Sequence, residues 1–261
     1  MSTDAGVVRV ERRDATVVIT FDRPGARNAM TWAMYGQLDR ALDRVASEPD
    51  VRVAVLRGAG GNFIAGTDIT QFTSFTTGDD GVAYERRLEA VLAKLESLPV
   101  ATIAALEGYV VGGGLALAAA CDVRVCTPDA RFGVPIAKTV GNCLSMANYA
   151  RLASLVGPQR VKEMLLLARL VDAPSALQAG LVMEVLADTA ALQARAQQIA
   201  ETLAGHAPIT LSTTKEAMRR LQAKLADENI DDLIRHTYGS ADFREGMSAF
   251  LEKRPPKWAG E

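Results

Sequence analysis

The sequence predicts a mixed α/β fold built on a mostly parallel sheet, and three features of the chain lead to this prediction. Short apolar runs alternate with amphipathic, helix-like segments through the first half of the chain. Two turns made of small residues directly follow apolar runs, as expected where a strand ends. Beyond Asn148 the chain is mostly helical. Such an alternation of strands and helices is typical of a parallel sheet covered by helices.

The composition is that of a globular protein and argues against two classes of partner. The 261 residues correspond to one large domain, or to one domain with an appendage. Hydrophobic residues make up 49% of the chain, which is enough for a sizeable core. The formal net charge of -2 gives no basic surface of the kind that binds nucleic acid. No apolar stretch reaches the roughly 18 residues that a membrane helix needs. We therefore expect neither nucleic acid nor a membrane as a partner.

The cysteines and the N-terminus predict a cytoplasmic location. Cys121, Cys126 and Cys143 form no metal-like cluster and no even set. Free thiols suit a reducing compartment. The first residues lack the basic region and apolar run of a secretory signal. We expect no metal and no redox cofactor.

The N-terminal elements follow from local patterns. Runs rich in β-branched residues predict strands at 7–12 and 16–21. Apolar residues at helical spacing predict an amphipathic helix at 31–47, which Pro49 ends. The apolar run at 51–56 predicts a short buried strand.

The rest of the chain is interpreted in the same way. The threonine- and glycine-rich segment 70–80 is predicted to be a mobile loop, and a helix with an apolar face follows at 81–98. A strand at 100–106 precedes a glycine turn and a helix that ends at Ala120. The later predictions are strands or extended pieces at 122–126, 131–135 and 181–186, and helices at 149–155, 161–167, 174–179, 189–203, 208–225, 227–238 and 241–253.

The triple glycine Gly112–Gly114 stands where a strand is predicted to turn into a helix. Glycine permits close approach by a ligand and unusual backbone angles. The first amides of a helix lack partners within the helix and carry its positive dipole end. This turn can therefore receive negative charge. The alternative is a tight turn whose glycines only let the helix and strand pack.

A second small-residue turn, at 62–69, follows the predicted strand 51–56 and the flexible segment 58–61. Two such turns can aim two backbone N–H groups at one oxygen atom. This arrangement is an oxyanion hole, and it suits a thioester carbonyl that becomes an enolate.

Four motifs give the chain a resemblance to the enoyl-CoA hydratase/isomerase (crotonase) superfamily, over about residues 7–258. The motifs lie at 21–30 (FDRPGARNAM), 63–69 (FIAGTDI), 108–122 (GYVVGGGLALAAACD) and 246–255 (GMSAFLEKRP). The resemblance implies a spiral of β-β-α turns over residues 1–200 that binds acyl-CoA. It also implies a helical oligomerisation region at 201–261 that builds a homotrimer or a hexamer. The implied substrate is an acyl-CoA thioester, with coenzyme A as part of the substrate and no separate cofactor.

The resemblance also implies roles for individual residues. The oxyanion-hole amides fall on Thr67 and Gly113, and Asp68 is expected to support the loop rather than to transfer protons. Phe250 and Lys253 are expected to reach a neighbouring subunit's nucleotide pocket. Arg27 could meet a phosphate or be solvated, and Tyr109 could donate a hydrogen bond or simply pack. The substrate-binding candidates are Arg27, Ala29, Ala65, Gly66, Asp68, Ile69, Tyr109, Gly112, Ile136, Asn142, Phe250 and Lys253.

The chain departs from the family pattern at the two glutamates that typical hydratases use to hold a water molecule. Their positions fall on Ala116 and Ile136, neither of which can transfer a proton. Cys143 could substitute if its pKa were lowered, for example by a helix beginning near Leu144; the alternative is a small buried thiol. The implied function is an acyl-CoA enzyme that stabilises a thioester enolate. Three alternatives to this function remain open. The protein could be an enzyme of another reaction type, namely an isomerase, a thioester hydrolase or a decarboxylase. It could also be a non-catalytic acyl-CoA binder, or a scaffold that only forms a protein interface.

Overall fold

The computed structural model describes residues 5–261, and nine strands form two sheets within them. The strands are β1 (Val7–Arg13), β2 (Thr16–Asp22), β3 (Val53–Gly58), β4 (Ala101–Leu106), β5 (Tyr109–Val111), β6 (Val123–Cys126), β7 (Arg131–Gly133), β8 (Val171–Asp172) and β9 (Glu184–Val185).

Ten α-helices cover the sheets or follow them in the described chain. They are α1 (Trp32–Ser47), α2 (Gly78–Glu96), α3 (Gly113–Ala119), α4 (Ile136–Thr139), α5 (Met146–Leu166), α6 (Ala173–Gln178), α7 (Thr189–Ala204), α8 (Pro208–Ala223), α9 (Asp231–Tyr238) and α10 (Ala241–Leu251). Thr31 caps α1 by accepting a hydrogen bond from the amide of Met34 at 3.2 Å.

The larger sheet has the strand order β1-β2-β3-β4-β6-β9. β1 pairs with β2 in antiparallel fashion, and every other pair in this sheet is parallel. The smaller sheet has the order β5-β7-β8. The predicted α/β class with a mostly parallel sheet is therefore confirmed. Because parallel strands point the same way, the segments that follow β3 and β4 emerge at one edge of the sheet. The first small-residue turn follows β3, and the segment after β4 leads through β5 to the glycine turn.

Apolar side chains fill both faces of the larger sheet. One face, with α1, α2 and α3, forms the main core, which includes Phe21, Leu56, Leu92 and Leu106. The other face packs Val55 and Ile103 against α7. Phe63 and Ile64 of the first turn and Leu115, which follows the glycines, belong to the main core, so packing fixes the positions of both turns.

Three of the predicted segments differ from the structure, and β5, β8 and α4 were not predicted. The predicted loop 70–80 contains a 3₁₀ helix at Ile69–Phe72, and α2 already begins at Gly78 behind a capping box of Thr77 and Asp80. The two helices predicted at 149–155 and 161–167 are one element, α5, interrupted at Gly157 with φ 75° and followed by Pro158. The helix predicted from 227 begins only at Asp231.

The last helices pack on the core instead of standing apart from it. α9 lies against α2, and α10 lies against the 3₁₀ helix. Gly246 of α10 approaches Val140 so closely that a Cβ there would lie 2.3 Å from the Val140 carbonyl oxygen. In contrast, α8 has no fully buried residue within residues 5–261. The proposed boundary at residue 200 stays a prediction.

None of the helices within residues 5–261 is long and apolar enough to cross a membrane. Over the same residues, no group of three or more His, Cys, Asp and Glu side chains is arranged to hold a metal ion.

Candidate active site

The two small-residue turns meet at a cavity of about 350 Å³. The turn after β3 supplies Gly66 and Thr67, and the turn after β5 supplies Gly112 and Gly113. Helix α2 closes one side of the cavity, and α10 contributes Phe250. The lining is mostly apolar, as expected for a small-molecule site with few polar groups.

The backbone N–H of Thr67 points away from the neighbouring segment that contains Met30. The amide of Met30 donates to the Gly66 carbonyl at 2.8 Å, and the amide of Asp68 donates to the Met30 carbonyl at 2.9 Å. This parallel bridge uses the groups on either side of Thr67, so the N–H of Thr67 faces the other way. Within residues 5–261 that N–H has no hydrogen-bond acceptor.

Gly113 presents a second free amide beside Thr67. It is the first residue of α3, so its N–H has no acceptor in the helix, and it has none elsewhere in the described chain. A Cβ on Gly113 would lie 3.9 Å from the Thr67 nitrogen and 2.8 Å from Tyr35 Oη. The two amides are therefore adjacent, and the missing side chain keeps the space between them open.

The other two glycines have different structural roles. Gly112 has φ 55° and ψ -122°, a conformation that only glycine adopts without strain. Gly114 packs so tightly that a Cβ would lie 2.2 Å from the Ile64 carbonyl oxygen. The triple glycine therefore combines a special turn, an open space and a close helix contact.

Two buried tyrosines fix the side chain of Thr67. Its Oγ1 lies 2.8 Å from Tyr35 Oη and 3.0 Å from Tyr84 Oη. Burial raises the pKa of both phenols, so they are uncharged hydrogen-bonding groups. Because α1 carries Tyr35 and α2 carries Tyr84, two helices position the residue that supplies one free amide.

Asp68 supports the loop, in keeping with the expectation from the sequence. Its carboxylate pairs with Arg23 at 2.7 Å and accepts hydrogen bonds from the amide and hydroxyl of Thr70 at 3.0 and 2.7 Å. Burial acts to raise the pKa of Asp68, but these donors and the Arg23 charge lower it overall. Asp68 is thus held as a carboxylate. Asn28 completes the loop by donating to the carbonyl oxygens of Ala59 and Asn62.

The structure brings most of the predicted site residues to the cavity. The predicted residues that line it are Ala29, Ala65, Gly66, Thr67, Asp68, Ile69, Gly112, Gly113, Ile136, Asn142 and Phe250. Ala116 also lines it, so both positions expected to lack a glutamate face the cavity with apolar side chains.

Three of the predicted substrate-binding residues lie outside the lining. The Arg27 guanidinium stacks over the Tyr109 ring at 4.6 Å, so each packs against the other. Lys253 lies just past the end of α10, and its reach toward a neighbouring subunit stays a prediction. Phe250, for which the same reach is predicted, lines the cavity of its own chain because α10 folds back over the 3₁₀ helix, and its contact with a neighbouring subunit also stays a prediction.

The structure argues against Cys143 as the substitute base. Burial raises the pKa of its thiol to about 12, with a further small contribution from the charge of Glu85. The side chain does not line the cavity. No helix start lowers this pKa, because Ser145 caps α5 with its side chain and Cys143 lies two residues before that cap. A neutral thiol has little nucleophilic or basic character.

Glu85 is a cavity carboxyl that the sequence analysis missed. It lies on α2, is only 2% exposed and lines the cavity. One carboxyl oxygen accepts a hydrogen bond from Tyr238 Oη at 2.7 Å, and the other accepts from the Ser145 amide at 2.9 Å. Burial raises its pKa to about 7. A signal was present in the sequence: Glu85 precedes Leu88 by three residues and Leu92 by seven, so it lies on the apolar face of the helix.

The comparisons with known proteins agree with this fold. A family model described as enoyl-CoA hydratase/isomerase matches residues 11–261. The 2,3-dehydroadipyl-CoA hydratase of Escherichia coli is 34% identical over 256 residues, covering 96% of this chain and 98% of that protein.

Solved structures extend the match to three dimensions. An enoyl-CoA hydratase/carnithine racemase from Magnetospirillum magneticum is 31% identical with a TM-score of 0.79, covering 100% of this chain and 97% of that chain. A methylmalonyl-CoA decarboxylase in complex with 2-nitronate-propionyl-CoA is 27% identical with a TM-score of 0.88, covering 97% of this chain and 98% of that chain. The chain therefore belongs to the enoyl-CoA hydratase/isomerase family and has the fold of the crotonase superfamily.

Proposed function

We propose that the protein binds an acyl-CoA thioester and stabilises its enolate. The thioester carbonyl oxygen would accept hydrogen bonds from the amides of Thr67 and Gly113. The observation that carries the proposal is the pair of adjacent amides without acceptors at an apolar cavity. Membership of a family of acyl-CoA enzymes supports the same substrate class.

The geometry suits a negative charge that develops on oxygen. Each amide is fixed before any ligand arrives, one by the bridge to Met30 and the other by the start of α3. Removal of one such donor typically costs about 3 kcal/mol of transition-state stabilisation. The positive dipole end of α3 adds to the effect at Gly113.

The lining favours a reaction that forms an enolate without holding water between two carboxylates. Ala116 and Ile136 are apolar, and Asp68 is paired with Arg23. Relatives of the chain are named hydratases, and a structural neighbour is named a decarboxylase. A shift of a double bond or a decarboxylation needs the enolate but not the paired carboxylates. The same lining leaves a non-catalytic acyl-CoA binder as the second candidate.

We also propose that α8 contributes to an oligomer, either a trimer or a hexamer. None of its residues is fully buried within residues 5–261, and it exposes Ile209, Met218 and Leu221. Light scattering tests the assembly. A monomer in solution would contradict it.

The function is tested by combining binding with a hydration assay. Thermal denaturation with butyryl-CoA, free CoA and butyrate measures whether the whole thioester is recognised, since a ligand at 100 times its Kd adds about 2.7 kcal/mol of stability. We expect clear stabilisation by butyryl-CoA and weaker stabilisation by free CoA. Loss of the crotonyl-CoA absorbance measures hydration, with a family member that carries both glutamates as control.

Two results would contradict the proposal. An absence of any effect of butyryl-CoA would favour a protein with only an interface role. Hydration as fast as in the control would show that the apolar residues at positions 116 and 136 do not limit water addition. Binding with slow hydration is the expected outcome.

A further inference from the structure

We propose that Glu85 is the catalytic proton-transferring group of this site, and that it moves a proton to and from the carbon atom next to the thioester carbonyl. This inference rests on the proposed binding of an acyl-CoA thioester. It gives the enzyme a base on α2, in place of the carboxylates expected at positions 116 and 136.

Two carboxyl groups line the cavity within the described chain, and only Glu85 is available for proton transfer. Asp68 is committed to Arg23 and to the hydroxyl and amide of Thr70. Glu85 forms no ion pair with any Lys or Arg of residues 5–261. Its two hydrogen bonds come from neutral donors, Tyr238 and the Ser145 amide. A carboxyl held this way can lose and regain a proton without breaking an ion pair.

Glu85 lies on the same cavity as the two free amides. Its neighbour in the chain, Tyr84, contacts Thr67 Oγ1 at 3.0 Å, and Glu85 lines the same cavity as Thr67 and Gly113. The pKa of Tyr35, which also contacts Thr67, is raised mainly by burial and further by the charge of Glu85. The carboxyl and the two amides therefore share one poorly solvated space, in which electrostatic interactions are strong.

The surroundings leave the carboxyl half ionised near neutral pH. Burial raises the pKa of Glu85 to about 7, against the opposing effect of the hydrogen bonds from Tyr238 and Ser145. A general base is most effective when its pKa lies near the working pH. The titratable or charged groups that face Glu85 or act on it are Tyr35 of α1, Tyr84 and Glu89 of α2, Cys143 before α5, Tyr149 of α5 and Tyr238 of α9.

Two side-chain atoms at the cavity have no hydrogen-bond partner among residues 5–261. Asn142 donates through Nδ2 to Tyr238 Oη at 3.0 Å, which leaves its Oδ1 without a donor. The carbonyl oxygen of the Asn148 side chain accepts from Arg151, which leaves its Nδ2 without an acceptor. Both side chains line the cavity and are buried at these atoms. An unpaired acceptor and an unpaired donor are groups that a bound water molecule or a polar ligand atom can satisfy, so this side of the cavity is not purely apolar.

The proposed step balances within the site. The Glu85 carboxylate takes a proton from the α-carbon, and the C–H electron pair forms the carbon–carbon double bond of the enolate. The carbonyl π electrons move to the oxygen, where the amides of Thr67 and Gly113 donate hydrogen bonds. Reversal returns a proton, or a deuteron from heavy water, from the Glu85 carboxylic acid to the same carbon.

The test is exchange of the α-protons of butyryl-CoA in heavy water, followed by proton NMR. We expect Glu85→Gln to slow exchange by about 10²–10⁴-fold, the usual contribution of general acid–base catalysis. Butyryl-CoA binding, measured by calorimetry on the same variant, should be retained, because the amides are unchanged. Glu85→Asp should recover part of the rate. Cys143→Ala, at a half-buried side chain outside the lining, is the matched control and should exchange like the wild type.

The pH profile separates proton transfer from a structural role. The wild-type exchange rate should rise through pH about 7 and then level off. Glu85→Gln should lack this inflection. Equal exchange in the wild type and in Glu85→Gln would overturn the assignment of Glu85 while leaving acyl-CoA binding intact. Binding without any exchange in the wild type would also overturn it. Failure to bind butyryl-CoA would instead overturn the proposed function.

Discussion

The phenol of Tyr238 donates a hydrogen bond of 2.7 Å to the carboxyl of Glu85. This contact joins α9 to α2, and Asn142 extends it by donating to the same phenol oxygen at 3.0 Å. The C-terminal part of the chain thereby sets the electrostatic environment of the cavity. A phenol that donates to a carboxylate stabilises the charged form and lowers the pKa of the carboxyl.

Removal of this phenol should shift the pH dependence of proton exchange. In Tyr238→Phe, Glu85 loses one of its two hydrogen bonds, and its pKa should rise above about 7. The exchange profile of butyryl-CoA should therefore move to higher pH, by about one pH unit for a hydrogen bond worth about 1.4 kcal/mol. Tyr149→Phe is the control, because Tyr149 makes no hydrogen bond with Glu85. A shift of equal size in both variants, or in neither, would argue against this contact as the cause.

Replacement of Gly113 separates its amide from its missing side chain. Gly113→Ala adds a Cβ that would lie 2.8 Å from Tyr35 Oη but keeps the N–H. Gly113→Pro adds a Cβ and also removes the N–H, at a first helical position where proline is tolerated. We expect the proline variant to exchange α-protons about 10²–10³-fold more slowly than the alanine variant. Similar rates in the two variants would show that the amide is not a donor to the reacting oxygen.

Glu85 should make the stability of the protein depend on pH. Folding raises the pKa of this carboxyl from 4.5 to about 7, so the folded state binds more protons than the unfolded state between these values. Stability should therefore fall as the pH rises through this window, by up to about 3 kcal/mol. In Glu85→Gln the side chain carries no charge, so this pH-dependent part of the unfolding free energy should be absent. Urea unfolding of both proteins at about pH 5 and pH 8 measures it. If the difference in unfolding free energy between the two proteins were the same at both pH values, the raised pKa of Glu85 would be contradicted.

The buried Arg151 should be essential for the stability of the region behind the cavity. Its side chain is 1% exposed, and it bonds with Glu89 at 2.8 Å and with Glu96 at 2.7 Å. Burial alone would lower the pKa of Arg151, but these two carboxylates raise it overall. Arg151→Ala leaves the carboxylates without their partner and should cost about 3 kcal/mol of unfolding free energy. Double replacement of Glu89 and Glu96 by Gln in that variant should recover part of the loss. A cost below about 1 kcal/mol would mean that these ion pairs contribute no more than solvent-exposed ion pairs usually do.

The sequence was sufficient to predict the strands and helices that depend on a local pattern of apolar residues. The apolar runs of β2, β3 and β4 and the helical spacing in α1 and α2 identify those elements, with ends that differ by a few residues. The glycines at 112–114 and the small residues before Thr67 also located the turns, because both follow buried strands.

The base was not recognised because its environment comes from distant parts of the chain. Tyr238 and Ser145, which bind the carboxyl of Glu85, lie 153 and 60 residues away in the sequence. The helix predicted to begin near Leu144 favours a lowered pKa at Cys143, but in the folded chain burial keeps its thiol neutral. The position of Phe250 depends on how α10 folds back on its own chain, which no local pattern indicates.

The central claim is that two backbone amides polarise a thioester carbonyl, and infrared spectroscopy of the bound ligand tests it most directly. Butyryl-CoA labelled with ¹³C at the carbonyl gives a stretching band that can be isolated by difference between labelled and unlabelled ligand. Hydrogen bonds from Thr67 and Gly113 should move this band to lower wavenumber on binding, with a smaller shift in Gly113→Pro than in Gly113→Ala. A bound ligand whose carbonyl band stays where it is in water, in the wild type as in both variants, would contradict the account.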